Sequence, residues 1–317
     1  MRVLALITII CSFGLLGSCQ HSYAGNTTTG YGRTPLTHGP TPMPVMQQSR
    51  YTAEANPLIP SRPLAIPSTP APAPKYAKAV CVMDPRTGRV LYGYNENERR
   101  QVASTQKIMT ALCVCDAGDM DHLITIKKED KLNVSPTRLN DIATGEKYTR
   151  RSMLQAMLTG SYNNVAYGLA RDVAGSEKAF VALMNARARR MKMYNSHFAN
   201  PHGLPGPQYS TAKDMAIAAC YAYVNPIIRP MIDAPQYDFV LASGRVRSMN
   251  NTNKLLTKPH LYWVNGMKTG YTNAAGHCLI SSGALNGRAV VVVVLGCSAR
   301  PQIFTESEKY LRWAMGV

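Results

Sequence analysis

Strand-forming runs stand at both ends of the folded part of this chain and helix-forming runs fill the middle, an order few architectures accommodate. Ala79-Val-Cys-Val-Met83 and Val90-Leu-Tyr-Gly-Tyr94 flank the turn Asp84-Pro-Arg-Thr-Gly88 and predict an antiparallel hairpin. Toward the other end, Asp238-Phe-Val-Leu241, Gly266 to Tyr271, Cys278 to Ser282 and the β-branched Ala289 to Leu295 predict further strands. Between them Lys107 to Cys115, Ser152 to Leu158, Asn164 to Val173 and Ala179 to Met191 carry helical patterns, and Phe304 to Met315 predicts a closing helix. The first hairpin and the late strands are expected to join in one antiparallel sheet, with the helical middle forming a lobe of its own, an α+β fold. With 45% hydrophobic residues in 317, the chain has ample material for a large core.

The N-terminal part has another composition. Met1 to Leu16 carries one charge, Arg2, and the apolar run Val3 to Cys11, so residues 1–24 read as a secretory signal, too short and too early for a permanent span. Leu16-Gly-Ser-Cys19 resembles the lipobox of bacterial lipoproteins, in which Cys19 would become the lipidated N-terminus. Cleavage after Ser22-Tyr-Ala24 and an uncleaved anchor are the alternatives. All three export the protein to the periplasm or cell envelope, with membrane contact only through this N-terminus. Residues 25–74 are rich in Pro, Thr and Ser and poor in charge, and predict a disordered tether. Residues 75–317 form the expected globular domain.

Most of the formal net charge of +17 falls in that domain, where it reads as solvated helix faces that favour solubility, with attraction to anionic envelope polymers as the alternative. No aromatic-interleaved basic array of the kind that reads bases is present, so no nucleic-acid partner is expected. Cys81, Cys113, Cys115, Cys220, Cys278 and Cys297 lack metal-finger spacing and sit mostly in apolar runs, as buried small hydrophobes do. A bridge between Cys81 and Cys297 is the best candidate disulfide.

Three short patterns carry chemistry: Ser104-Thr-Gln-Lys107, Ser161-Tyr-Asn163 and Lys268-Thr-Gly270. Ser and Lys three apart on a helix face the same way, and a desolvated Lys107 beside a second cation, Lys268, can act as the base that activates Ser104. Ser161 can relay a proton and Asn163 can orient Lys107 and substrate. Lys268, Thr269 and Gly270 on an edge strand suit an extended peptide ending in a carboxylate. A second SxxK, Ser210-Thr-Ala-Lys213, is followed by Ser248-Met-Asn250, so motif order does not discriminate. Its context reads as a helix start, with Ser210 a cap and Thr211 and Asp214 spaced as a capping box.

Longer stretches surround these patterns: Ala103-Ser-Thr-Gln-Lys-Ile-Met-Thr110, Asn200-Pro-His-Gly-Leu204, Tyr209-Ser-Thr-Ala-Lys-Asp-Met215, Asn251-Thr-Asn-Lys-Leu-Leu256 and Asn265-Gly-Met-Lys-Thr-Gly-Tyr-Thr-Asn-Ala-Ala-Gly276. From about residue 76 onward the chain thereby resembles the serine-type D-alanyl-D-alanine carboxypeptidases, the low-molecular-mass penicillin-binding proteins of peptidase family S11. The resemblance implies a β-lactamase and penicillin-binding-protein-like fold, a five-stranded antiparallel sheet flanked by helices plus an all-helical lobe. It implies Ser104 as nucleophile, Lys107 as base, Ser161 and Asn163 as the middle motif, Lys268, Thr269 and Gly270 as the strand motif, and the amides of Ser104 and Tyr271 as oxyanion hole. It makes Ser210 part of a flanking structural helix. Substrates would be peptidoglycan stem pentapeptides losing the terminal D-Ala, and β-lactams would be inhibitors; no cofactor or metal is implied. Where family members often carry an Arg that helps hold the substrate carboxylate, ungapped extension places Ile303, with Arg300 nearby. The chain also ends one helix past the core, without the extra β-rich domain and amphipathic anchor of many relatives.

Rival readings are a D,D-endopeptidase using the same residues, a β-lactamase, and a non-catalytic wall binder. Glu129-Asp-Lys-Leu-Asn133 matches the ExxLN pattern of class A β-lactamases but precedes Ser161 instead of following it. His202 and His277 are expected to be structural, because a Lys base makes a His unnecessary.

Overall fold

The structure is a computed structural model, described over residues 58–131 and 138–317, all in one compact unit. The expected signal, and the tether up to residue 57, lie outside the described residues. Strands β1 (Ala79–Met83) and β2 (Val90–Tyr94) form the expected hairpin. A 3-10 turn over Ala103–Gln106 leads into α1 (Lys107–Asp116), and then come β3 (Leu123–Thr125) and β4 (Lys147–Thr149). The lobe continues through α2 (Arg150–Gly160), α3 (Asn163–Ala174), α4 (Glu177–Arg190), α5 (Ala212–Tyr223) and α6 (Ile228–Asp233). Strands β5 (Gln236–Val240), β6 (Val246–Asn250), β7 (Val264–Thr272), β8 (Gly276–Leu285) and β9 (Arg288–Cys297) follow, and α7 (Arg300–Met315) closes the chain.

The first hairpin joins the late strands as expected, in a five-stranded antiparallel sheet of order β2-β1-β9-β8-β7. The β-branched run explains the centre. Val290 to Leu295 of β9 are all buried, with Val291, Val293 and Leu295 facing the helical lobe and Val290, Val292 and Val294 facing α7. A strand covered on both faces needs apolar residues at every position, and each buried valine contributes about 1.5–3 kcal/mol. The predicted strand at Asp238–Leu241 exists but lies outside this sheet, in a separate hairpin of β5 with β6.

Helix α1 runs through the middle of the lobe side, with Lys107 to Val114 all buried. That leaves no polar stripe, so its position is set by neighbours on every side rather than by amphipathicity.

Two expectations are corrected. The disulfide does not form: Cys81 and Cys297 are free, although their strands are adjacent. Cys81 pairs with Val293, four positions short of Cys297, which is about 13 Å along a strand. A bulge at Gly296 (φ +80°) also turns Cys297 to the α7 face while Cys81 faces the lobe. Nor is the tether free up to residue 74, because residues 58–74 strap the α7 side of the domain. Leu64 is buried there, and its amide donates to the buried Asp84 at 3.1 Å. Glu306 accepts from the amides of Lys75 and Tyr76 at 2.8 and 3.0 Å, and Trp313 Nε1 donates to the Thr69 carbonyl at 2.9 Å. Prolines cost such a strap little, since it makes few ladder bonds and their φ is already fixed.

Candidate active site

The three patterns meet at one place. Ser104 lies in the 3-10 turn that precedes α1, one helical turn before Lys107. Helix α2 ends at Ser161, which caps it in a left-handed conformation (φ +63°), and α3 begins at Asn163. This sharp reversal, tolerated at a single residue when packing holds it, turns the middle motif toward α1. Lys268 to Gly270 lie in β7, the edge strand of the sheet.

Lys107 is fully buried and its ammonium nitrogen contacts three oxygens: Ser104 Oγ at 2.8 Å, Asn163 Oδ1 at 2.7 Å and the His202 carbonyl at 2.6 Å. Burial, and then the charge of Lys268, hold its pKa well below the usual lysine range. Lys268 is buried too, and burial brings it down to about 7. A neutral amine in contact with a serine hydroxyl is a competent base.

Gly270 explains itself by what surrounds it. A Cβ there would stand 2.9 Å from the amide nitrogens of both Ser104 and Thr105. The strand therefore passes within touching distance of the turn that carries Ser104, a spacing only glycine allows.

The cleft between them encloses about 290 Å³ and is lined by Ser104, Gly160, Ser161, Asn163, Gly203, Leu204, Thr252, Thr269, Gly270, Tyr271, Thr272, His277, Arg300 and Ile303. Lys107 and Lys268 stand behind this wall rather than in it. Thr269 Oγ1 donates to Thr252 Oγ1 at 2.7 Å, which ties β7 to the Asn251-Thr-Asn253 segment. The half-exposed Tyr271 stacks on His277, ring centroids 4.2 Å apart. Arg300 and Ile303, one turn apart on α7, both face the cleft, and the charge of Arg300 adds to burial in lowering the His277 pKa. Among the described residues no group of three or more His, Cys, Asp and Glu is placed to hold a metal ion.

The second SxxK is elsewhere. Ser210 is buried against Ser196 Oγ at 2.8 Å and exchanges backbone hydrogen bonds with Arg100, while the cap of α5 is Thr211, which accepts from the Asp214 amide at 3.0 Å. Ser210 itself is thus not the cap: the helix begins one residue later than its context predicts. Ser248 and Asn250 lie on β6 in the outlying hairpin. Glu129 pairs with Lys127 and the buried Asp130 with Arg171, and neither lines the cleft; Asn133 is outside the described residues.

Sequence reasoning missed the His202 carbonyl and Thr252 as parts of the site. Both lie in stretches that stand out in the sequence, Asn200 to Leu204 and Asn251 to Leu256, but a backbone oxygen leaves no side-chain signal. The His202 ring is buried, its Nδ1 accepts from the Leu204 amide at 3.2 Å, and burial with the Lys107 charge takes its pKa to about 3.

The architecture and the sequence both have known counterparts. A D-alanyl-D-alanine carboxypeptidase structure from Mycobacterium tuberculosis superposes with a TM-score of 0.73 at 27% identity, over 80% of this chain and 96% of that one. The Streptomyces K15 DD-transpeptidase gives 0.71 at 28% identity, over 78% of this chain and 100% of that one. In sequence, the chain is 28% identical over 284 residues to an Escherichia coli (strain K12) D-alanyl-D-alanine endopeptidase, covering 86% of this chain and 89% of the relative. It is 32% identical over 247 residues to the D-alanyl-D-alanine carboxypeptidase DacC of the same organism, covering 75% of this chain and 60% of the relative. Residues 67–299 match the family described as D-alanyl-D-alanine carboxypeptidase, peptidase S11. With that match spanning most of the domain that holds the cleft, the chain belongs to the D-alanyl-D-alanine carboxypeptidase family of serine peptidases.

Proposed function

We propose that this protein is a serine D,D-carboxypeptidase that removes the terminal D-Ala from peptidoglycan stem pentapeptides through an acyl-enzyme on Ser104. The observation that carries the reading is the contact of buried, deprotonation-prone Lys107 with Ser104 Oγ at 2.8 Å. Lys107 takes the hydroxyl proton as Oγ attacks the carbonyl carbon of the last peptide bond. The oxyanion that forms is met by the amides of Ser104 and Tyr271, beside Gly270. Ser161 relays the proton from Lys107 to the departing D-Ala amine, taking one from Lys107 as it gives its own, with Asn163 holding Lys107 in line, and water then hydrolyses the ester. The substrate carboxylate lies against Thr269, with Lys268 behind it and Arg300 at the cleft wall. A β-lactam enters by the same acylation. Export through residues 1–24 places this chemistry in the cell envelope. The lipobox-like Leu16-Gly-Ser-Cys19 makes lipid at Cys19 the favoured anchor.

Mass spectrometry of the intact exported protein with and without penicillin tests this directly. A single adduct mapping to Ser104 is expected, and an adduct on Ser210, or none, overturns it. A second reading, cleavage of D,D-crosslinks, is favoured by the Escherichia coli endopeptidase whose sequence this chain matches over 89% of its length. Purified pentapeptide muropeptides and crosslinked dimers digested side by side decide between them. Free D-Ala from pentapeptides supports carboxypeptidase action, and monomers from dimers support the endopeptidase.

A further inference from the structure

To accept a proton, Lys107 has to be a neutral amine, with two N–H bonds and one lone pair. Its nitrogen has the three oxygen neighbours given above, and two of them, Asn163 Oδ1 and the His202 carbonyl, can only accept. When both take an N–H, the lone pair has one direction left, toward Ser104 Oγ. With a single acceptor the lone pair and the second N–H could exchange places by rotation about the Cε–Nζ bond. The backbone carbonyl is therefore half of what aims the base.

That carbonyl belongs to a loop of unusual shape. Three successive carbonyls, of Asn200, Pro201 and His202, accept from Gln106 Nε2, Thr110 Oγ1 and Lys107 Nζ, each at 2.6 Å. Residues 106, 107 and 110 share one face at the start of α1. Neighbouring carbonyl dipoles pointing the same way repel, so the loop needs support, and the Asn200 side chain supplies it. Its Oδ1 accepts from the amides of His202 at 3.2 Å and Gly203 at 2.7 Å, and from Gln106 Nε2 at 3.2 Å. Its Nδ2 donates to the Leu204 carbonyl at 3.0 Å and Gln208 Oε1 at 3.2 Å. Gly203 follows with φ +87°, and a Cβ there would stand 2.2 Å from the Ala103 carbonyl, so loop and nucleophile turn are in direct contact. Asn200 itself does not line the cleft.

We propose that Asn200 is a positioning residue for acylation: it fixes the His202 carbonyl so that the lone pair of neutral Lys107 points at Ser104. The inference rests on the serine-acylation reading above. In the step concerned, the Ser104 O–H bond breaks, its proton joins Lys107 Nζ, the Oγ–carbon bond forms and the carbonyl π pair moves onto oxygen.

The test is the rate of acylation by a fluorescent penicillin in Asn200→Ser, Asn163→Ala and the double variant, with thermal melting of each. Asn200→Ser is expected to acylate about 10–100-fold more slowly while still melting cooperatively and labelling to the same final level on Ser104. The double variant is expected to lose less than the product of the single losses, because either change alone already frees the lone pair. A purely structural role would not produce that coupling. Should Asn200→Ser fail to fold, Asn200→Thr, which is nearer in volume and also lacks the side-chain amide, is read the same way in its cycle with Asn163→Ala. A folded Asn200 variant within about twofold of wild type, or losses that simply multiply, overturns the inference and leaves serine acylation standing. A wild-type protein with no Ser104 adduct overturns the acylation reading, and this inference with it.

Discussion

In the proposed mechanism two lysines do different work because they are neutralised to different extents. Lys107 is held well below the usual range by burial and by Lys268, whereas Lys268, lowered by burial, stands near 7. Catalysis wants the first neutral and carboxylate binding wants the second charged, so kcat/KM for a D-Ala-D-Ala tripeptide is expected to be bell-shaped. The acid limb reports Lys107. The alkaline limb, at about 7, reports Lys268, and in Lys268→Met that limb vanishes from a profile already lowered throughout. An unchanged alkaline limb in that variant rules Lys268 out as its source. Stability runs the other way: the unfolded chain binds the Lys268 proton up to 10.5 and the folded one only to about 7. This residue's contribution to stability is therefore full above the higher value and is lost as pH falls through the lower one.

Among the elements, the strap over residues 58–74 is the one whose role the cleft does not explain. It rests on two buried carboxylates. Asp84 accepts from the Leu64 amide, the Arg86 amide and Thr87 Oγ1, and Glu306 accepts from the Lys75 and Tyr76 amides. Replacing Asp84 with Ala strands those donors, at a cost of about 3 kcal/mol. Because the strap lies on the α7 side of the sheet and α1 on the other, the variant is expected to melt several degrees lower yet be labelled by penicillin at the wild-type rate while folded. A melting temperature unchanged by Asp84→Ala would show that the strap carries no stability. The α2–α3 junction is the opposite case, since the reversal at Ser161 sets the site directly.

At the scale of the molecule, one sheet buried on both faces ties strap, lobe and cleft into a single unit. Cys81, Cys113, Cys220, Cys278 and Cys297 are buried within it, and burial raises the pKa of each thiol. These five are expected to resist a thiol reagent in the native protein and to react together across the denaturant midpoint. Labelling of Cys81 or Cys297 well before that midpoint would contradict the burial. The sequence by itself determined the hairpin at 79–94, the β-branched centre of the sheet, the helices of the lobe and the three motifs, because strand and helix periodicity and reactive side chains are local properties. Tertiary structure decided what each SxxK meets: Ser104 and Ser210 both precede helices, but of the two it is the Ser104 and Lys107 pair that meets Asn163, the His202 carbonyl and Gly270 across long chain separations. It also decided that Cys81 and Cys297 stay apart, since a single bulge sets the facing of every residue beyond it, and no local pattern announces where packing will place that bulge.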